Sequence, residues 1–194
     1  MVLVTDLVFA VITLFVIIDP VLSLAPFLAL TKKFSAAERQ ATANRAVYVA
    51  GALAVVFLLA GPFLMEAIGI SLASFKVAGG IVLGLLGLEM VLDLSISRDH
   101  GRVDSKGIAV LIATPLLTGP GLLTALVVLV EQSGLELALS ALAVALFASW
   151  LILRCAVLLQ KSLGSSVLQV ISRVMGLLLM AIAVEFVKSG FPGV

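Results

Sequence analysis

One cysteine, one histidine, one tryptophan and one tyrosine serve a chain of 194 residues, and charged side chains make up only 12% of it. Each scarcity removes a class of function. A lone thiol, Cys155, can form neither an intrachain disulfide nor a cysteine-based metal site. A lone imidazole, His100, lies in a polar connection, and no Ser-His, paired-Asp or H-E-x-x-H constellation falls inside the apolar stretches. The sequence therefore reads as no enzyme, with no metal site and no cofactor. No Walker-type loop is present, so ATP does not drive the protein directly. A net charge of +1 says nothing about nucleic acid, but no basic patch is interleaved with aromatics, so no nucleic-acid partner is expected.

What the chain has instead is apolar sequence. Hydrophobic residues make up 62% and the mean hydropathy is +1.31, whereas a soluble domain is about half apolar and a quarter charged. The sequence implies an all-α integral membrane protein of one membrane domain, 1–194, whose partner is the lipid bilayer. A span needs roughly 20 mainly apolar residues, and six stretches qualify: 7–30, 45–65, 72–94, 108–130, 135–159 and 167–187. The opening "MVLVTDLVFAVITLFVII" lacks a basic start, carries Asp6 and runs on into further apolar sequence, so it reads as a first span and not as a cleaved signal.

Orientation follows from the basic residues of the short loops. The first, third and fifth connections carry Lys32, Lys33 and Arg39; Arg98, Arg102 and Lys106; and Lys161, whereas the second and fourth carry Glu66, Glu131 and Glu136. Odd-numbered loops are expected in the cytoplasm, with both termini outside a plasma or inner membrane. Residues 95–106, "SISRDHGRVDSK", form the expected cytoplasmic linker between 1–94 and 107–194.

The two sides of that linker resemble each other. "DPVLSLAPFLALT" and "TPLLTGPGLLTAL" align so that Asp19-Pro20 matches Thr114-Pro115 and Ser23 matches Thr118 at one constant offset. "FKVAGGIVLGLLGLEMV" and "SRVMGLLLMAIAVEFV" align Lys76 with Arg173 and Gly79 with Gly176. Three spans per half is an odd number, so the second half enters the membrane upside down. Two inverted three-helix repeats are expected, with spans one and four broken at Pro20, Pro26, Pro115 and Pro120.

Proline removes a backbone donor and glycine loosens a helix, yet in hydrocarbon each freed group needs a partner. Matched breaks in inverted repeats point to a secondary transporter and its binding site. At about 1.5 Å per residue, Ser23 and Thr118 stand roughly 14 Å from the cytoplasmic end of a core about 30 Å thick, near the midplane. N–H groups after each break suit a carboxylate, and carbonyls with nearby hydroxyls suit an ammonium or metal cation. The expected substrate-binding residues are Asp19, Ser23, Thr114, Thr118, Gly119 and Gly121. Asp19, the one carboxylate deep in span one, is either a ligand for substrate, proton or sodium ion or a cap of a half-helix beginning at Pro20.

Lys76, Glu89 and Arg173 are candidates for a gate or for ion coupling, against interface solvation as the ordinary alternative. Gly80, Gly84 and Gly87 share one face of span three and fit close packing, on the broken helices or across a homo-oligomer interface. Arg45 and Arg154, at span ends, read as orientation anchors.

"PLLTGPGLLT", "FKVAGGIVLGLLGLEM" and "RVMGLLLMAIAVEF" carry a resemblance that runs nearly the whole chain: the sequence resembles the MarC family. "IIDPVLSLAPFLALT" is the weaker match, because family members usually have a glycine and one fewer residue between the two prolines where this chain has Leu22 and Ser23. The resemblance implies transport, including export, of small neutral amino acids such as alanine and glycine, in some members coupled to a cation gradient. It also implies an architecture like that of the wider lysine-exporter-like superfamily. The alternative left by the residues alone is a channel, or a carrier for another small solute or ion.

Overall fold

The computed structural model describes residues 2–92 and 119–191, and among them every regular element is a helix. In chain order these are α1 (Val2–Ile18), α2 (Leu24–Leu30), α3 (Ala36–Ile68), α4 (Leu72–Leu92), α5 (Pro120–Ser133), α6 (Leu135–Arg154) and α7 (Ala156–Ser189). Four helices are long and apolar enough to cross a membrane: Ala36–Ile68, Leu72–Leu92, Leu135–Arg154 and Ser166–Ser189. Two shorter apolar helices, Val4–Ile18 and Gly121–Ser133, accompany them. Large apolar side chains cover the outside, Phe63 at 70% and Phe9 at 66% exposure among them. An aqueous surface does not carry apolar faces of that extent, whereas lipid solvates them.

Several helix boundaries differ from the sequence reading. Helix α3 starts at Ala36, nine residues before the apolar window at 45, because Ser35 and Glu38 form a reciprocal capping box. The Ser35 hydroxyl accepts from the Glu38 N–H at 3.3 Å, and the Glu38 carboxylate accepts from the Ser35 N–H at 2.8 Å. These bonds hold the Glu38 carboxyl below its ordinary range, the backbone N–H of Ser35 being the larger cause. Because the folded value is the depressed one, this stabilisation is present at neutral pH and is lost on acidification through the folded value. Ser35→Ala is expected to cost about 1 kcal/mol, read as a lower thermal midpoint at pH 7.

The second difference lies at Cys155, where a turn without proline or glycine ends α6 and opens α7. The third is Gly164, whose φ of 73° and ψ of 166° interrupt α7 ahead of its membrane-crossing part. Residues 95–106, the expected linker, lie outside the described residues, as does the first part of span four.

The core is built on small residues. Ala43, Ala46, Ala50 and Ala54 form the buried stripe of α3, and Ala138, Ala141 and Ala145 form that of α6, so the two backbones run close together. Helix α5 is the most enclosed element, with Leu122 and the whole of Ala125–Val128 buried. Helices α4 and α7 pack antiparallel along their length. A Cβ at Gly80 would lie 2.7 Å from the Ala183 carbonyl oxygen, and one at Gly87 would lie 2.7 Å from that of Gly176. The glycine face of span three therefore meets α7, and Gly79, one residue round, meets Thr124 of α5.

Candidate functional site

Helix α1 stops at Ile18 and α2 starts at Leu24, so the first apolar stretch is broken across Asp19–Ser23. Asp19 has φ +41°, the only positive value among the described non-glycine residues. That region is disfavoured for a side chain, and Asp and Asn are among the few residues enriched there. The N–H of Asp19 still donates to the Phe15 carbonyl at 3.0 Å, which closes the last turn of α1. Proline at 20 then removes the next donor, and the chain turns through 20–23 before helix resumes.

The two carboxylate oxygens of Asp19 differ in their surroundings. Its Oδ1 accepts from the Leu22 N–H at 3.1 Å and so caps the turn. The helix that follows begins at Leu24, however, and not at Pro20 as the capping reading had it. Oδ2 is buried with no hydrogen-bond partner, on a residue only 4% exposed. An unsatisfied buried carboxylate oxygen is costly, since desolvation goes uncompensated. It is the one such side-chain atom among the described residues.

Ser23 is fully buried and its hydroxyl donates to the Asp19 carbonyl at 3.3 Å. Its donor is thus spent on the turn, and only its lone pairs are left for a ligand. Ser23 caps one end of α2 and Thr31 the other, eight helical rises or about 12 Å apart. Arg39 closes the far end of α2 by donating to the Thr31 carbonyl at 3.0 Å and to its hydroxyl at 3.2 Å.

On the facing element, Gly119 caps α5 in an extended conformation and Pro120 takes the first helical position. Proline is favoured there because its missing N–H would have no acceptor. Gly121 offers the first N–H of the helix, while those of Leu122 and Leu123 turn back to the Gly119 carbonyl. Gly121 also has a packing role, because a side chain there would strike Leu83 of α4, and Ile17 of α1 stands beside it. Helices α1 and α5 run antiparallel with Ile17 next to Gly121. Thr114, Pro115 and Thr118 lie outside the described residues.

A cavity of about 330 Å³ opens between α1, α5 and α7. Asp6, Gln132 and Glu185 stand at its mouth, and Thr13, Leu14 and Ala125 lie at its inner end. The inner end is five residues of α1, or about 7.5 Å, short of Asp19. Sequence reasoning passed over this cavity: Asp6 and Thr13 are visible as polar interruptions of an apolar run, but nothing local pairs them with Gln132. It also passed over Gly61-Pro62, where α3 crosses Val127 of α5 closely enough that a Cβ at Gly61 would lie 2.8 Å from the valine methyl.

Of the gate candidates, Lys76 stands apart from the other two. Lys76 is half-buried near the end of α4 that meets Val187 and Gly190, whereas Glu89 and Arg173 stand at the other end, where Met90 meets Gly176. Glu185 and Lys188, both exposed, form an ion pair at 3.8 Å, a contact worth little. No group of three potential metal ligands occurs among the described residues.

Comparison with known proteins agrees with this helical membrane fold. The family model described as MarC family integral membrane protein matches residues 4–194. A UPF0056 membrane protein of Archaeoglobus fulgidus is 35% identical over 189 residues, which is 92% of this chain and 88% of the relative. One from Methanocaldococcus jannaschii is 35% identical over 157 residues, 76% of this chain and 77% of the relative. UPF0056 membrane protein YhcE of Escherichia coli is 32% identical over 145 residues, 69% of this chain and 67% of the relative. No solved structure matches the chain. A family match over nearly the whole length, on a multi-pass helical membrane fold, establishes that the chain belongs to the MarC family of integral membrane proteins.

Proposed function

We propose that this protein is a secondary transporter of small neutral amino acids such as alanine and glycine, working in either direction by alternating access. The observation that carries the proposal is Asp19. A carboxylate with one buried unpartnered oxygen, at a helix break beside the N-terminus of α5, is a site prepared for a cation. The substrate ammonium meets Asp19 and the carbonyls of its turn. The substrate carboxylate meets the N–H groups at the start of α5, at Gly119 and Gly121, with the hydroxyls of Thr114 and Thr118 beside them. A proton or sodium ion is the alternative occupant of Asp19 and would couple transport to a gradient.

Two inverted repeats of three spans, 1–94 and 107–194 joined by a cytoplasmic linker at 95–106, are part of the proposal, as is the placing of both termini outside the cytoplasm. Helix packing supports the repeats. Helix α5 is the counterpart of α2, and that of α1 lies outside the described residues. Exchanging the halves turns the α2–α6 contact into α5–α3 and the α2–α7 contact into α5–α4, and all four are present. The contacts α3–α6 and α4–α7 map onto themselves and are present too. Among the described residues the α5–α6 contact has no counterpart of similar extent between α2 and α3. Along α4 and α7 the self-corresponding pair falls at Leu83 and Met180, near mid-helix, where a pseudo-two-fold axis would pass.

A channel is the second reading, since broken helices can supply carbonyls to a filter. Counterflow of labelled alanine and glycine in proteoliposomes separates the two. A carrier gives saturable exchange that alanine, glycine and serine compete for and leucine does not. Flux that never saturates, with no trans-stimulation, would instead make it a channel. In the same assay Thr118→Val is expected to raise the half-saturating alanine concentration several-fold, by about 1 kcal/mol for one neutral hydrogen bond.

A further inference from the structure

A second concavity lies on the opposite flank, between α3 and α6. It is an open groove of about 550 Å³, floored by Gly51, Ala52 and Val55 and rimmed by Asn44, Tyr48 and Trp150. Its rim is a built structure: the Trp150 indole N–H donates to the Asn44 side-chain oxygen at 2.7 Å, across 106 residues of sequence. The Arg154 guanidinium lies over the Trp150 ring, 4.9 Å from its centroid. Arg45 follows Asn44 on α3, one turn before Tyr48, and both arginines are exposed.

Since α3 and α6 run antiparallel, these two arginines reach the same membrane interface while the apolar floor extends into the hydrocarbon. Among the described residues no carboxylate pairs with either arginine. The nearby Glu38 is held in its capping box and Arg39 by Thr31. Two unneutralised guanidinium groups, an indole and a phenol at the interface, and a slot of small residues below them make a surface complementary to one kind of molecule. Basic pockets between membrane helices select anionic headgroups, and an open apolar slot takes an acyl chain.

We infer that the α3–α6 groove is a binding site for an anionic glycerophospholipid, its phosphate at Arg45 and Arg154 and one acyl chain along Gly51, Ala52 and Val55. The lipid is a resident of the fold's flank, separate from the Asp19 site and independent of what that site carries.

Trp150 is the only tryptophan of the chain, so its fluorescence reports this groove alone. The test is quenching of the intact protein by phosphatidylglycerol with brominated acyl chains, against brominated phosphatidylcholine, each titrated into unbrominated phosphatidylcholine bilayers. Wild type is expected to prefer phosphatidylglycerol at least about five-fold, and Arg45→Gln with Arg154→Gln to abolish the preference, one basic group at an anionic surface being worth about that factor. Ala52→Phe, which fills the slot from an already exposed position, is expected to reduce quenching by both lipids. Equal quenching of wild type by the two lipids would overturn the inference, and so would a preference that survives loss of both arginines. Absence of quenching, with Ala52→Phe halving the molecular mass measured by light scattering, would put a second copy of this chain in the groove and overturn it equally.

Discussion

Asp19→Asn is expected to lower alanine and glycine transport by ten- to a hundred-fold while leaving the amount of folded, membrane-inserted protein unchanged. The variant is a clean one for physical reasons. Asparagine tolerates the positive φ that Asp19 adopts, and its amide oxygen can still accept from the Leu22 N–H as Oδ1 does. What it loses is the negative charge and the acceptor at the buried, unpartnered Oδ2. A hydrogen bond to a charged group contributes about 1.5–3 kcal/mol, and each 1.4 kcal/mol is about ten-fold in affinity, which sets the range. Asp19→Ala is the contrasting variant. It removes the cap of the turn and places a less tolerant residue at φ +41°, adding about 1 kcal/mol of backbone strain, so it lowers folded protein as well as transport. If Asp19 only caps the turn, the ranking reverses: Asp19→Asn transports normally and Asp19→Ala is merely unstable. Initial rates in proteoliposomes, normalised to protein recovered as a monodisperse peak, distinguish the two.

The second large effect concerns how α4 holds α7. Gly87→Ala is expected to lower stability by about 1–3 kcal/mol, the usual cost of forcing a methyl into a filled interface, and Gly87→Val to prevent recovery of folded protein. The obstacle at Gly87 is backbone, the Gly176 carbonyl oxygen at 2.7 Å, with Met180 equally close. Backbone cannot swing aside as a side-chain end can, so the helices must separate. Gly84, on the same helix, supplies the control. A Cβ there meets only the Ala183 Cβ at 3.6 Å, an ordinary contact, and glycine is about 1 kcal/mol worse than alanine within a helix. Gly84→Ala is therefore expected to hold or raise the thermal midpoint in detergent. Equal losses at the two positions would mean that glycine is needed there for flexibility and not for close approach.

How far these features could be read from sequence depends on whether their cause is local. The break in the first span is local: Asp-Pro inside an apolar run stops a helix wherever the chain goes, and the structure stops it at Ile18. The start of α3 is local too, but its signal is the pair Ser35 and Glu38 rather than hydropathy, so an apolar window places it nine residues late. Glycines of span three announce a close approach through their spacing, yet spacing does not name the neighbour. That neighbour is α7 for Gly80 and Gly87 and α5 for Gly79. Trp150, Tyr48, Arg45 and Arg154 read as isolated residues in sequence. Only the antiparallel pairing of α3 with α6 sets Trp150 against Asn44 and gathers them on one rim. The cavity between Asp6 and Gln132 escaped notice for the same reason. A break also says nothing of the state of its polar atoms. That Asp19 satisfies one oxygen and strands the other is a fact of the folded turn.

The central claim is that the broken backbone at Asp19 binds a small zwitterion, and calorimetric titration of the detergent-solubilised protein with alanine tests it most directly. Propionate and ethylamine, each presenting one end of the zwitterion, are titrated in parallel, and the series is repeated on Asp19→Asn. The account predicts one saturable site for alanine, at least ten-fold weaker binding of either half-molecule, and loss of the alanine signal in Asp19→Asn. Alanine binding undiminished in Asp19→Asn, or no heat from alanine in wild-type protein that unfolds cooperatively, would contradict it.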